Sequence, residues 1–189
     1  ALQSASLVNE PNLLKITLIN GKYSSELSNL GMKNSDLLVR SLDELLEKEP
    51  EEAQFLFSSE PSETFSWLNT ALARDALLIT CPENKTIKKP IHVLNIMTGN
   101  RNKLVSPRII VEAKSNSRLT LIEEFVNLLP DKSLMNAATF INAKQGSLVN
   151  HHRICGSSCG YHVGNLHCKV NQDAKICTTS LAFGGDVTR

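Results

Sequence analysis

A chain of 189 residues with 41% hydrophobic residues is long enough to bury a core, while 20 basic against 19 acidic residues leave a net charge near +1. No basic cluster interleaved with aromatics is present, which argues against nucleic acid as a partner. The apolar runs fall far short of the ~20 residues a membrane-spanning helix needs.

Ala1 to Glu10 lacks the basic-then-apolar pattern of a secretory signal. Five cysteines, an odd number without paired spacing, predict a reducing compartment: the cytoplasm, an organelle matrix or a plastid stroma. Leu14-Lys15-Ile16-Thr17-Leu18-Ile19 alternates and meets Asn20-Gly21, which predicts a tight hairpin turn, with Lys22-Tyr23-Ser24 starting the return strand. Ser35-Asp36 precedes Leu37, Leu38, Leu42, Leu45 and Leu46, which predicts an amphipathic helix capped by Ser35 and stopped at Pro50. The acidic stretch Glu47 to Glu52 reads as its solvated end.

Pro61-Ser62-Glu63 opens a second predicted helix that places Phe65, Leu68, Ala71 and Leu72 on one face, with Trp67 expected to pack rather than serve as a ligand platform. Leu77-Leu78-Ile79-Thr80 reads as a buried strand, and Lys85 to Lys89 as a solvated turn. Residues 1–80 are thus expected to form an α/β region with two amphipathic helices, and 81–189 a β-rich core.

From Ile91 to about Phe183 the helical period vanishes. Short β-branched segments start at Ile91, Arg108, Leu119, Thr139, Leu148, Asn165 and Ile176, each bounded by turn formers. Every second start recurs after roughly 28 to 30 residues, which predicts two strands per coil of a mainly β solenoid that buries side chains by stacking coil on coil. Nothing after Arg189 would cap such a stack, so a longer natural protein is expected, truncated here at its C-terminal end. Alternation puts Leu166, Cys168 and Val170 inside and His167 and Lys169 in solvent. Gly156, Gly160 and Gly164 are expected to supply positive φ at turns or bulges.

His151, His152, Cys155, Cys159, His162, His167, Cys168 and Cys177 crowd one stretch. A metal site needs three or four such groups at about 2.0 to 2.3 Å from one ion. Cys155, Cys159, His162 and His167 are the candidates, although the Cys155–Cys159 spacing is not a Cys-x-x-Cys knuckle and adjacent His151 and His152 face opposite ways if extended. The competing reading is independent core and surface residues. Glu123-Glu124 point apart along a strand and are expected to be solvated, so they make a poor acid and base pair. Hydrolase, zincin, phosphate-loop and dinucleotide-binding motifs are absent. Gly184-Gly185 reads as a tight turn between coils.

Thr64-Phe65-Ser66-Trp67-Leu68-Asn69-Thr70-Ala71-Leu72-Ala73-Arg74-Asp75, Lys89-Pro90-Ile91-His92, Ser106-Pro107-Arg108 and Phe183-Gly184-Gly185-Asp186-Val187-Thr188-Arg189, in that order and spacing, resemble the landmarks of the SufB/SufD family of iron–sulfur cluster assembly scaffolds. Ile19 to Ser24 with Leu27-Ser28 resembles SufD more than SufB. The resemblance implies a right-handed parallel β-helix after a small N-terminal region. It also implies a non-catalytic subunit working with a SufB-like scaffold and the ABC-type ATPase SufC in cluster building and iron supply, paired with SufB or with a second copy. The cluster would be associated with the complex and no cofactor held by this chain. The family's cluster-associated Cys and His, and its SufC-docking helices, would lie beyond Arg189. Ala76 stands where the family usually has Gly, so a turn needing positive φ would be strained there. Cys155 and Cys159 get no support from the family pattern.

The leading expectation is therefore a scaffold subunit. The alternative is a metal-binding protein or metal-dependent enzyme on a β-helix using the stretch from His151 to Cys177. A carbohydrate-active β-helix would need grouped carboxylates and aromatic platforms, which 5% aromatic residues do not supply.

Overall fold

The computed structural model describes residues 6–31, 37–57, 63–99, 103–129, 133–156 and 160–189, with the backbone alone for 55–57. Leu14–Ile19 (β1) and Lys22–Asn29 (β2) form the expected antiparallel hairpin, turning at Asn20 and Gly21 with φ of 52° and 79°. Two successive positive φ values match the right-handed twist of the flanking strands, which is why Asn-Gly suits this turn.

Leu38–Ser41 (β3), Leu42–Lys48 (α1), Pro50–Phe57 (α2), Thr64–Leu72 (α3) and Leu77–Cys81 (β4) follow. The predicted first helix is corrected at its start and ends, as expected, just before Pro50. Ser35 and Asp36 lie outside the described residues, and the N-cap is Ser41, whose Oγ accepts the Glu44 N–H at 3.2 Å. Residue Leu38 instead joins β3, which pairs antiparallel with β4; ladder hydrogen bonds override the local leucine spacing. Pro50 does not simply end a helix but occupies the first turn of α2, where its missing N–H costs nothing.

The second predicted helix exists as α3, but its buried face is not the apolar one. Ser66 and Asn69 are fully buried, while Trp67 and Leu72 are 50% and 44% exposed, so the expected packing role of Trp67 is corrected. A polar pair three residues apart docks the helix, and Trp67 falls on its outward side.

Ile91–Met97 (β5), Leu104–Val105 (β6), Arg108–Ala113 (β7), Arg118–Asn127 (β8), Leu134–Ala143 (β9), Leu148–Cys155 (β10), Tyr161–Val170 (β11), Lys175–Ala182 (β12) and Val187–Thr188 (β13) build a parallel β-solenoid of about three turns. One sheet runs β12-β10-β8-β5-β1-β2 and the other β13-β11-β9-β7-β4-β3. Ile91 lies opposite Leu121 and Arg108 opposite Ala138, 30 residues per coil; Leu148 lies opposite Lys175, 27 residues on. Because β1 pairs parallel with β5 and β4 with β7, the N-terminal region continues both sheets, and the expected boundary at 80/81 falls inside β4.

Where each coil turns from the second sheet to the first, one residue sits in the left-handed region: Asn84, Asn116, Gly146 and Asp173, with φ of 60°, 58°, 67° and 57°. Their backbones stack, the Asn84 N–H donating to Ser115 O and the Asn116 N–H to Gln145 O, both at 2.9 Å. Asn, Asp and Gly are the residues that tolerate this conformation. Between the sheets Ile16, Leu77, Ile79, Ile91, Val93, Ile109, Val111, Leu119, Leu121, Ile141 and Val149 form the main core. Asp75 ties the N-terminal region to it, its carboxylate accepting the N–H groups of Tyr23, Leu42 and Ala76. Ala76 does not have a positive φ, so the strain expected from its departure from Gly does not arise.

Candidate functional site

Strand alternation puts Leu119, Leu121, Glu123 and Phe125 of β8 on the inner face and Glu124 on the outer one. The two glutamates do point apart, but the expectation that they are solvated is corrected: both are fully buried. Glu123 Oε1 accepts from Thr139 Oγ1 of the opposite sheet at 2.6 Å, which fixes its side chain inside the lumen. Its Oε2 lies 2.7 Å from His151 Nε2 and accepts from Arg153 Nη2 at 3.1 Å. Arg153 Nη2 also donates to Thr139 Oγ1 at 3.1 Å, and His151 Nδ1 lies 3.2 Å from Thr178 Oγ1. Burial opposes ionisation of Glu123, yet the Arg153 guanidinium and the His151 and Thr139 hydrogen bonds outweigh it and hold the carboxyl down to about 2.

Gly164 supplies no positive φ, contrary to expectation. It lies within β11, where an added Cβ would stand 2.6 Å from Arg153 Nη1, so its bare backbone makes room for the guanidinium. Gly156 has no positive φ either, whereas Gly160, at φ 56°, behaves as expected. Gly184 and Gly185 make the expected turn between β12 and β13, with φ of 142° and 105°.

Outside the first sheet, His92 Nε2 lies 2.8 Å from Glu124 Oε2, both side chains being 1% exposed. Ser6 Oγ donates to the same oxygen at 2.6 Å, and the Leu7 N–H to the other. Burial raises the Glu124 pKa, but these partners together pull it below the ordinary value.

Outside the second sheet, Asn69 Nδ2 of α3 donates to Pro107 O at 3.0 Å and Asn136 O at 2.7 Å, and Ser66 Oγ lies 2.7 Å from His167 Nε2. The His167 ring stacks on Phe140 at 4.8 Å, and the Arg108 guanidinium lies 4.3 Å from the Phe140 ring. His167 is therefore on the outer face, as alternation requires, but half-covered by α3 rather than solvated. Burial lowers its pKa. A recess of about 260 Å³ opens beside it, lined among others by Glu63, Phe65 and Arg189.

The metal candidates divide. Cys155 and His162 are both buried at the same end of the lumen: Cys155 pairs in register with Phe125, whose ring lies 4.6 Å from that of His162. His167 lies on the opposite face of β11 from His162, and Cys159 lies outside the described residues. Of the remaining residues in that stretch, His151 binds Glu123, while Cys168 and Cys177 are exposed. Among the described residues no three His, Cys, Asp or Glu side chains converge as a metal site would require. Sequence reasoning passed over the lumenal cluster of Glu123, His151 and Arg153. The signal was the coil period itself, since Glu123 and Arg153 are register partners one coil apart.

Residues 7–93 match the family model described as the SufBD protein N-terminal region. Residues 95–189 match the one described as the SufBD core domain of the SUF system for FeS cluster assembly. The chain is 30% identical over 119 residues to an iron–sulfur cluster assembly SufBD family protein of Synechocystis sp.. That match covers 61% of this chain and 26% of the relative, so the chain spans about a quarter of the length of the protein it resembles.

Proposed function

The chain belongs to the SufB/SufD family of the SUF iron–sulfur cluster assembly system, and we propose that it acts there as a non-catalytic scaffold subunit beside a SufB-like scaffold and a SufC-like ABC-type ATPase. Its work would be to position those partners for cluster building and iron supply. The observation that carries this reading is the saturation of Glu123: a fully buried carboxylate held by Thr139, His151 and Arg153 joins coils and is closed to a substrate. Five cysteines without paired spacing suit the reducing cytoplasm, organelle matrix or stroma in which we place the protein.

The test is a tagged pull-down of the natural-length polypeptide from its own cells, with co-purifying proteins identified by mass spectrometry. Recovery of an ABC-type ATPase together with a SufB-like subunit is the expected result. Recovery of neither would overturn the reading.

A further inference from the structure

The turns that lead from the second sheet to the first build one continuous corner of the solenoid, and its charged side chains are mostly basic. Lys114 and Lys144 open successive turns. The Lys114 N–H donates to Cys81 O at 3.0 Å and the Lys144 N–H to Ala113 O at 2.9 Å, which stacks the two lysines one coil apart. Arg118, exposed, closes its turn in register with Leu148, and Leu148 in turn lies opposite Lys175, also exposed. In the preceding coil Thr86 lies opposite Arg118 while Ile91 lies opposite Leu121, so the chain takes extra residues between these two points and bulges outward. Lys88 and Lys89 are on that bulge, both exposed.

The acidic residues of the same turns are Glu83, Glu112 and Asp173, of which Glu112 is taken up by Asn142 and, at 3.6 Å, by Lys114. The corner is thus positive in a chain whose net charge is only +1. Like charges in register on neighbouring coils, about 4.8 Å apart, repel one another. Uncharged residues such as Ser115, Asn116 and Gln145 keep these turns solvated without that cost. Among the described residues no ion pair relieves Lys144, Arg118 or Lys175.

We propose that this corner docks an acidic helical segment of another protein. Carboxylates at positions i, i+3 and i+4 of a helix stand about 5–6 Å apart. That spacing is close to the coil repeat, so a helix lying along the solenoid axis meets one rung of basic side chains after another. No aromatic residue lies in these turns, so nucleic-acid bases find no stacking platform. Val170 is the one large apolar side chain exposed there among the described residues, too little to enter a membrane surface. Exposed ion pairs are individually weak and screened by salt, so the contact steers and gathers its partner reversibly. The corner is remote in the argument from Glu123, and it stands whether or not the partners proposed above are recovered.

The experiment is fluorescence anisotropy of the natural-length polypeptide against a labelled helical peptide carrying glutamates at every third and fourth position. The wild type should bind it, should lose about fivefold in affinity between about 50 and 200 mM salt, and should not bind the same peptide with glutamine in place of glutamate. Lys114→Gln/Lys144→Gln should weaken binding about fivefold, whereas Lys22→Gln/Lys48→Gln, two exposed lysines outside the corner, should change it less than about twofold. All four substitutions are on the surface and leave the core intact, which thermal unfolding of each variant checks. Absence of binding by the wild type, or equal loss in the two double variants, would overturn the proposal. Tighter binding to phosphatidylserine vesicles or to a single-stranded oligonucleotide than to the acidic peptide would overturn the choice of partner.

Discussion

Arg153 and Glu123 occupy the same register position on neighbouring coils, and Arg153 Nη2 donates to Glu123 Oε2 over 3.1 Å where the carboxylate has no solvent exposure. Neither charge can be removed alone without stranding the other. Glu123→Gln is therefore expected to destabilise the fold by about 3–5 kcal/mol in chemical denaturation. Replacing both residues with apolar side chains of similar volume should recover much of that loss. A Glu123→Gln cost under about 1 kcal/mol would show that the pair is not holding the coils together.

Acid should act in two steps. His162 has a folded-state pKa of about 4, below its ordinary value of 6.5, so the unfolded chain takes up the proton first. Its contribution is complete above pH 6.5 and lost as pH falls towards 4. Glu123 has a depressed carboxyl pKa of about 2 against an ordinary 4.5, so its stabilisation is present above 4.5 and lost as pH falls towards 2. His162→Phe should flatten the upper part of the stability–pH curve and leave the lower part. Denaturation midpoints at half-unit pH intervals would check this.

Helix α3 is fastened by hydrogen bonds rather than by an apolar stripe. Asn69→Ala removes three buried bonds, one of them a long one from Arg108, and should cost about 2 kcal/mol; Ser66→Ala removes one and should cost about 1 kcal/mol. Hydrogen exchange should quicken at α3 amides in both variants, more so in Asn69→Ala, while the β8 and β10 amides stay protected. Trp67→Ala, on the outward side of the same helix, should change stability by less than about 0.5 kcal/mol.

Two glycines should respond differently to alanine. Gly31, at φ 74° with no atom of the described residues within 4 Å of a new Cβ, should lose about 1 kcal/mol from backbone strain. Gly164→Ala places a Cβ 2.6 Å from Arg153 Nη1 and must displace the guanidinium from Glu123. Its loss should exceed that of Gly31→Ala, and its apparent carboxyl titration should move upward as the ion pair weakens. Equal thermal shifts in the two variants would mean that Arg153 relaxes freely.

The two-strand coil was legible in the spacing of β-branched segments, because each coil must present apolar residues to the same lumen and the chain can return there only at a fixed interval. Asn20-Gly21 was legible because the turn's conformation is local to those residues. The start of α1 was not: the leucines at 37 and 38 fit a helix locally, and only pairing of β3 with β4, some 40 residues away, assigns Leu38 to a strand. The site was the least legible part. Glu123 reads as a surface charge until Thr139, His151 and Arg153 arrive from other strands, and His162 reads as one histidine among several until Phe125 and Met135 enclose it.

Sequence alone therefore determined the period, the hairpin and the family likeness, all of which depend on residue type at fixed local spacing. Only the tertiary structure decided which polar residues face inward, because burial of a charge depends on partners one coil away. A buried carboxylate is stable only when those partners satisfy it.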